Sequence, residues 1–385
     1  MLRIGVGLSI ERDSVRAGAQ ATAAALDSAS LDAADLLVVF ATTPHGPGFT
    51  AVTRAASDIA HTRNVVGCSA AGVLAREQEI EGGPGVAVLA MRGDIAPRRF
   101  FVPCSRGAGD AIAAEIANSV GAPSGSALLL LFTDSYNVDM DGLLAGLTRR
   151  FPGVPIVGGG ASEDGSVGQV SVFAGDAASS GAVSGVLVDG DVRTTVGVAH
   201  GAQRVGRVHR VGEVRGNWIL TLDDAPAYEA FARVVPAPLL EEPRRAVAVV
   251  LAGLGVGDGQ YVARHLVGLD VARGAIAIAA EPRPGDEMFF AVRDPGGARA
   301  ELQRVLAEQA AAWSTRAAAG GLYVDCIGRG RAFYGVPGLD TAYIRQHMGS
   351  LPVAGFFSGA EFAPGAGAAR LHQYTGVLAV LGSAA

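Results

Sequence analysis

Val66-Gly67-Cys68-Ser69-Ala70-Ala71-Gly72 (VGCSAAG) is one of three segments of this chain that follow the same plan. The other two are Pro155–Ser162 (PIVGGGAS) and Pro352–Gly359 (PVAGFFSG). Each begins with a short run containing β-branched residues, reaches a glycine and continues with mostly small residues. Recurrence of this kind indicates that one supersecondary unit is used repeatedly along the chain.

An apolar run precedes each of these segments at a similar distance. The runs are Leu36–Phe40, Leu128–Phe132 and Gly321–Cys326, and each has the length and composition of a buried strand. A helical pattern such as Met140–Arg150 lies between a run and its segment. The three units therefore predict strand–helix–strand folding, with ligand sites at the ends of the strands.

Helical and strand patterns alternate along the chain, which predicts an α/β fold of mixed α+β character with mixed sheets. A chain of 385 residues is too long for one ordinary core, so we expect two domains, 1–235 and 236–385. The segment Pro236–Arg245 is rich in proline and charge and is the best linker candidate. Val170–Ala174 and Ala182–Val188 are expected to form a hairpin.

The composition favours a water-soluble protein of the cytoplasm. Hydrophobic residues make up 49% of the chain, but runs such as Ala127–Phe132 are far shorter than the roughly 20 residues of a spanning helix. The charged residues Glu11, Arg12 and Asp13 interrupt the opening apolar run too early for a signal peptide. The 3 cysteines have no metal-like spacing and suit a reducing compartment. We therefore expect no association with a membrane.

The basic residues exclude several classes of function. The chain contains no lysine, so all 31 of its lysine-plus-arginine residues are arginine. Schiff-base chemistry, pyridoxal phosphate attachment and a P-loop all require lysine and are therefore excluded. A formal net charge of −6 without a basic cluster in the sequence argues against binding to nucleic acid.

Three phrases in the C-terminal half are distinctive when taken together: Cys326–Arg331 (CIGRGR), Pro352–Phe362 (PVAGFFSGAEF) and Leu371–Thr375 (LHQYT). This set resembles the C-terminal half of the FIST family. In the N-terminal half, Val66–Gly72 and Pro155–Asp164 are similar to that family's Gly-Cys-Ser and Val-Gly-Gly segments. The resemblance extends over nearly the whole chain, from about residue 30 to residue 383.

The chain departs from the family pattern at two places. Ala360 separates the expected Gly-Glu dipeptide into Gly359-Ala360-Glu361, and Gln373 follows His372 where asparagine is more usual. The resemblance implies a FIST N-terminal-like domain followed by a FIST C-terminal-like domain. It also implies a sensory protein for a small ligand such as an amino acid or its derivative, which acts in signal transduction. No output module is apparent in this sequence, so we expect a separate signalling protein as partner.

The strand ends supply the candidate ligand-binding residues. Arg329 or Arg331 would grip a carboxylate bidentately, and Glu361 would pair either with an amino group of the ligand or with Arg264 or Arg293 of the chain. If Arg329 and Glu361 face one cavity, the ligand is zwitterionic. The residues that we expect at the ligand are Gly67, Cys68, Gly158, Gly159, Cys326, Gly328, Arg329, Arg331, Glu361 and His372.

Other interpretations of these residues stay open. Cys326 or Cys68 would be the nucleophile of an enzyme acting on a small metabolite, if folding brings a histidine such as His45, His61 or His372 beside it. A buried structural cysteine is the plainer interpretation of Cys68. The polar residues after the second apolar run would line a cleft or cap a loop: Asp134, Ser135 and Tyr136.

A haem-based nitric-oxide sensor is a further alternative, because some bacterial members of the family bind haem. The 7 histidines show neither HxxxH nor CxxCH spacing, so the sequence indicates no metal site. A haem needs only one axial ligand, for which His372 and His200 are the candidates. Each of these is also explained as a hydrogen-bonded structural residue.

Overall fold

A computed structural model describes residues 1–104 and 109–384 of the chain. It confirms the mixed α+β fold, with strands and helices interleaved along the sequence. The strands in the first half of the chain are β1 (Arg3–Ser9), β2 (Leu36–Thr42), β3 (Val65–Ala70), β4 (Gly72–Ala75), β5 (Gln78–Glu81), β6 (Val86–Arg92), β7 (Ile95–Pro103), β8 (Ala127–Thr133), β9 (Ile156–Gly160), β10 (Val172–Ala174), β11 (Ala177–Ser179), β12 (Ala182–Gly190) and β13 (Arg193–His200).

The remaining strands include several that are only two residues long. They are β14 (Ala202–Arg210), β15 (Val214–Arg215), β16 (Trp218–Ile219), β17 (Thr221–Leu222), β18 (Ala225–Pro226), β19 (Val250–Gly257), β20 (Gln260–Asp270), β21 (Ala275–Ile278), β22 (Glu287–Arg293), β23 (Gly320–Cys326), β24 (Val353–Ser358), β25 (Ala360–Gly365), β26 (Ala368–His372) and β27 (Thr375–Gly382).

The helices lie both within the repeated units and between them. They are α1 (Ser14–Ser28), α2 (Phe49–Ala60), α3 (Gly109–Val120), α4 (Met140–Arg150), α5 (Ala227–Val234), α6 (Ala237–Leu240), α7 (Pro243–Val249), α8 (Pro295–Ala312), α9 (Gly330–Tyr334) and α10 (Leu339–Met348), with a 3₁₀ helix at Thr43–Gly48. Asp13 caps α1, because its side chain accepts the backbone N–H of Arg16 at 2.8 Å. Among the described residues, no helix is both long and apolar enough to cross a membrane.

The chain forms two compact units. The first contains Met1–Ala199, Leu302–Leu371 and the segment from Thr375 onward, and the second contains His200–Glu301 with His372–Tyr374. This division differs from a simple cut at residue 235, because the C-terminal strands return to the first unit.

The three predicted strand–helix–strand units are present in the first compact unit. In each of them the two strands pair in parallel: β2 with β3, β8 with β9, and β23 with β24. Each parallel pair lies at the centre of its own six-stranded sheet. The orders are β1-β6-β2-β3-β10-β11, β7-β12-β8-β9-β25-β26 and β13-β27-β23-β24-β4-β5.

The three sheets exchange hairpins in a cycle. After β3 the chain enters the third sheet as β4 and β5, after β9 it enters the first sheet as β10 and β11, and after β24 it enters the second sheet as β25 and β26. The predicted hairpin of 170–174 with 182–188 is therefore wrong, because β10 pairs with β3 and β11, and β12 pairs with β7 and β8. Each of the three sheets therefore contains a hairpin that comes from another unit.

Buried side chains join the three units at their centre. The rings of Phe40 and Phe356 stack with centroids 4.4 Å apart, and Phe132 meets them edge-on at 5.5 and 6.0 Å. Beyond this layer, the hydroxyl of buried Ser162 accepts the N–H of Ala71 at 2.8 Å and donates to the carbonyl of Phe357. Residues from all three units are therefore in contact at the point where the chain passes from one sheet to another.

A glycine occupies the same register position in each parallel pair. Gly67 lies opposite Val39 and Gly158 lies opposite Leu131. Their φ angles are +151° and +153°, and a β-carbon on either would overlap the carbonyl oxygen of the opposite residue. Both positions were predicted to lie at a ligand. Glycine is needed there because the neighbouring strand approaches closely.

The second compact unit contains a seven-stranded sheet of order β14-β22-β19-β20-β21-β16-β15. The prediction of a linker at Pro236–Arg245 is wrong, because this segment contains α6 and the beginning of α7. Leu239 and Leu240 pack against the core of this unit, and Ala246 is fully buried in it. The proline-rich composition here marks two short helices, each with proline in its first turn.

We expect Gly158→Ala to lower the free energy of unfolding by at least about 2 kcal/mol, because the added methyl group overlaps a strand carbonyl and forces a strained φ. Gly125→Ala is the matched control, since a β-carbon there meets nothing within 4 Å. Urea unfolding of the two variants measures the difference. Equal stability of both would show that the strand pair tolerates a side chain at this position.

Candidate functional site

The carboxyl end of β23 holds a buried ion cluster rather than an open anion site. Arg329 is 1% exposed, and its Nε lies 2.8 Å from Oδ1 of Asp325. Its Nη2 donates to Oδ2 of Asp340 at 2.8 Å. Both aspartates are buried as well. The guanidinium predicted to hold a ligand carboxylate therefore holds two carboxylates of its own chain.

Two tyrosines complete this cluster. Tyr323 donates its hydroxyl to Oδ2 of Asp340 at 2.7 Å, and the guanidinium of Arg329 lies 5.5 Å from the ring centroid of Tyr334. Burial raises the pKa of Asp325 well above its usual value, and the charge of Asp340 raises it further, while Arg329 lowers it. One cation cannot fully offset two desolvated carboxylates, so Arg329 is committed to these internal partners and the arrangement suits a structural role.

Arg331 and Gly328 belong to the turn that follows this strand. The Arg331 side chain is exposed, and its backbone N–H donates to Oε1 of Glu81 at 3.0 Å. The N–H of Gly328 donates to the sulfur of Cys326 at 3.4 Å. The turn is thus held by backbone contacts, and the Arg331 guanidinium points away from the buried cluster toward solvent.

Glu361 is fully buried and contacts residues that the sequence did not predict as its partners. Its Oε2 accepts the N–H of Thr375 at 3.1 Å and the Thr375 hydroxyl at 2.9 Å. Burial raises the pKa of this carboxyl to about 8, although the hydrogen bonds from Thr375 and the Cys326 side chain lower it. The partners that the structure gives Glu361 are therefore a threonine and a cysteine, and its pairing with Arg264 or Arg293 stays a prediction.

Cys68 and Gly159 contribute to packing. Cys68 is fully buried in the core between the register positions of Phe40 and Val172, and burial raises the pKa of its thiol well above the usual value. A thiol of this kind stays protonated and is a poor nucleophile. A β-carbon on Gly159 would overlap the hydroxyl of Ser358, so glycine is needed where two sheets meet.

Asp134 and its neighbours cap the loop after β8. The Asp134 carboxylate accepts the N–H groups of Tyr136 at 3.1 Å and Gly181 at 2.8 Å, and the amide of Asn137 at 2.8 Å. Ser135 contacts the hydroxyl of Thr133 at 3.2 Å. Of the two interpretations offered for these residues, loop capping is the one that these contacts support.

His200 and His372 lie in a cluster of aromatic side chains in the second compact unit. The His200 ring stacks on Tyr261 with centroids 4.1 Å apart, and the His372 centroid lies 6.0 Å from that of His200. Tyr374 and His265 pack beside each other, with the tyrosine oxygen 3.1 Å from Nε2. We call these five residues the histidine–tyrosine cluster.

The two candidate axial histidines are packed against other side chains. Tyr261 covers one face of the His200 ring, and His372 is only 4% exposed, so a haem would reach His372 only after neighbouring side chains had moved. Among the residues that the structure describes, no group of three or more histidine, cysteine, aspartate and glutamate side chains is arranged to hold a metal ion.

An open cleft lies at the carboxyl end of the first parallel pair. The sequence predicted ligand sites at the ends of such strands, without singling out this pair. The volume of the cleft is about 360 Å³. The 3₁₀ helix after β2, the end of β3 and the loop before β10 form its walls. We call it the strand-end cleft, and it is lined by Thr43, Gly46, Pro47, Phe49, Ser69, Glu163, Val167, Gln169 and Ser171.

The polar groups of the strand-end cleft are partly committed to the fold. Glu163 Oε2 accepts the N–H groups of Gly165 at 2.8 Å and Val167 at 3.2 Å, which leaves Oε1 for a ligand. Thr43 accepts the N–H of Asp164 at 3.1 Å, and its hydroxyl also bonds the carboxylate of Asp164. The cleft therefore offers one carboxylate oxygen and the hydroxyl of Ser171 beside apolar side chains.

Sequence reasoning identified Ser69 only as part of a repeated segment and missed Thr43, Glu163 and Gln169. Glu163 immediately follows the second repeated segment, yet it lies beside the first parallel pair. The exchange of hairpins brings it there, because the chain leaves β9 and enters the first sheet as β10. The one signal in the sequence was the polar, glycine-containing stretch after Ser162.

We expect Arg329→Met to lower the free energy of unfolding by about 3 kcal/mol or more, because it leaves two buried carboxylates without their cation. Arg331→Met is the control, and its exposed side chain predicts a change within about 0.5 kcal/mol. Urea unfolding at neutral pH compares the two variants. Similar losses in both would contradict the structural role of Arg329.

Glu361 should make stability depend on pH. Its raised pKa means that the folded protein keeps this proton at pH values where the unfolded chain has lost it. The free energy of unfolding therefore falls as the pH rises from about 5 to about 8, by up to about 1.4 kcal/mol per unit from this group.

Glu361→Gln removes that dependence while the other buried carboxyls stay in place. Urea unfolding of both proteins at several pH values across this range gives the difference. We expect the free energy of unfolding of the variant to increase relative to that of the wild type as the pH rises. Parallel stability curves would mean that Glu361 is ionised in the folded protein throughout.

Comparison with known proteins agrees with the resemblance noted in the sequence. The model of the FIST N domain matches residues 35–225, and that of the FIST C domain matches residues 227–364. The uncharacterized protein Mb0898c of Mycobacterium bovis is 30% identical to this chain over 388 aligned positions, which cover 98% of both chains. The uncharacterized protein MT0656 of Mycobacterium tuberculosis is also 30% identical, over 98% of this chain and 99% of its own length.

The two matched domains follow each other along the chain and together cover most of it. FIST domains are associated with sensory signal transduction. The repeated strand-end segments, the two family matches and the full-length relatives together show that this chain belongs to the FIST family.

Proposed function

We propose that this protein is a cytoplasmic sensor that binds a small zwitterionic, amino-acid-like ligand in the strand-end cleft. The observation that carries the proposal is the open cleft at the carboxyl end of a parallel strand pair, with a carboxylate and hydroxyl groups beside apolar side chains. Ligands of α/β proteins commonly bind at this end of the strands. The cleft also has a volume typical of sites for small molecules.

The lining favours a zwitterion over a simple anion. Glu163 Oε1 would accept an ammonium group, and the hydroxyl of Ser171 would donate to a carboxylate. Phe49 and Val167 would contact an apolar side chain of the ligand. A simple anion would instead be repelled by the carboxylate in the cleft.

The cluster around Arg329 is less suited to a ligand, although Arg329 and Glu361 together motivated the zwitterion hypothesis from sequence. Both side chains are buried and hold contacts within the chain. A ligand that paired with Arg329 would have to displace Asp325 or Asp340. The strand-end cleft requires no such exchange.

Ligand binding would be communicated to a separate signalling partner through the loop before β10. This loop carries Glu163, Val167 and Gln169 into the cleft, while residues 164–169 are exposed. A ligand that contacts these side chains would fix the surface that the partner meets. The free cysteines Cys68, Cys104 and Cys326 support a reducing cytoplasm as the location.

Isothermal titration with a panel of L-amino acids tests the proposal. We expect at least one to bind, and Glu163→Gln to weaken it about tenfold by removing the partner of its ammonium group. Glu115→Gln on α3 is the control and should leave affinity unchanged, because Glu115 is exposed and lies outside the cleft. Equal binding by both variants would place the ligand elsewhere.

A further inference from the structure

A second cleft lies at the opposite end of the first parallel pair. It is formed where α2 ends, before β3 begins, together with a side chain of β7 and the turn between β10 and β11. Its volume is about 420 Å³. We call it the arginine cleft, and it is lined by Arg54, Ser57, Asp58, His61, Thr62, Arg63, Arg99, Gly175 and Asp176.

Three guanidinium groups of this cleft lack a partner among the described residues. Within the part of the chain that the structure describes, the side chains of Arg54, Arg63 and Arg99 make neither an ion pair nor a hydrogen bond. Arg98, the neighbour of Arg99 in β7, shows the contrast, since it pairs with Asp189 at 3.0 Å. Three cations that repel each other around one concavity gain stability when an anion lies between them.

The backbone helps to aim these groups into the cleft. Gly175 has φ +59°, and a β-carbon there would lie 3.1 Å from Nη1 of Arg99, so the guanidinium lies directly over the glycine. His61 ends α2 with φ +53°, a left-handed conformation in which glycine is the usual residue. The histidine side chain is thereby presented at the same opening.

Two carboxylates line the arginine cleft beside the arginines. Asp58 and Asp176 are exposed and oppose part of the positive charge, so a plain polyanion is not the best match. Carboxylates accept hydrogen bonds from hydroxyl groups, whereas guanidinium groups bind phosphate through paired N–H donors. A ligand that carries both hydroxyl and phosphate groups would satisfy both sets.

We propose that the arginine cleft binds the phosphate monoester of a small polyhydroxylated molecule, such as a sugar phosphate. Arg54, Arg63 and Arg99 contact the phosphoryl oxygens, and Asp58 and Asp176 accept hydroxyl hydrogens. The site is separate from the strand-end cleft, because the two lie at opposite ends of α2 and share no lining residue. The protein therefore has room for two different small molecules on the same strand–helix–strand unit.

Isothermal titration with ribose 5-phosphate, inorganic phosphate and ribose tests this site in the full chain. We expect ribose 5-phosphate to bind about tenfold more tightly than inorganic phosphate, and ribose alone to give no measurable heat. Arg63→Ala and Arg99→Ala should each weaken both phosphate ligands about tenfold. Arg12→Ala, which changes an exposed arginine far from the cleft in sequence, should have no effect.

Asp176→Asn separates the two parts of the proposal. It should weaken ribose 5-phosphate while leaving inorganic phosphate unchanged or slightly tighter. Absence of binding by either phosphate, or binding that survives both arginine substitutions, would overturn the phosphoryl site. Equal affinity for inorganic phosphate and ribose 5-phosphate would overturn the assignment to a polyhydroxylated monoester. Circular dichroism of each variant checks that these surface changes leave the fold intact.

Discussion

The fold depends on a steric constraint that recurs in the three parallel strand pairs. At Gly67, Gly158 and Gly355 the backbone of the neighbouring strand approaches so closely that a β-carbon would overlap a carbonyl oxygen. Each glycine lies just before the place where the chain leaves its own sheet for another. Glycine is therefore required beside each place where the sheets exchange hairpins, and the phenylalanine layer and the Ser162 contacts join the three units around one core.

The sequence predicted the three strand–helix–strand units because buried runs and small-residue segments are local patterns. The exchange of hairpins was not predictable, because pairing between distant strands has no local signal, and this is why the predicted hairpin was wrong. The linker at Pro236–Arg245 was wrong for a different reason, since prolines in the first turns of two short helices look the same in sequence as prolines in a linker. Asp340 was not recognised as the partner of Arg329, because a contact between a strand-end turn and a later helix also lacks a local signal. The partners of Glu361 were missed because Thr375 comes from a separate strand.

Equivalent strand ends have taken different roles in this protein. The end of the third pair is closed by the Arg329 ion cluster, and the end of the second is capped by Asp134. The end of the first pair stays open, and its walls include residues such as Glu163 that arrive with an exchanged hairpin. The proposed binding site therefore contains residues that follow more than one of the repeats.

Native mass spectrometry of freshly purified protein, compared with its denatured mass, tests the central claim most directly. The account predicts a discrete adduct of the mass of an amino acid or a close derivative on the wild-type protein. The same adduct should be lost from Glu163→Gln and kept in Arg331→Met. A haem-sized adduct, or an amino-acid-sized one that persists in Glu163→Gln, would contradict the assignment of the strand-end cleft as the sensory site.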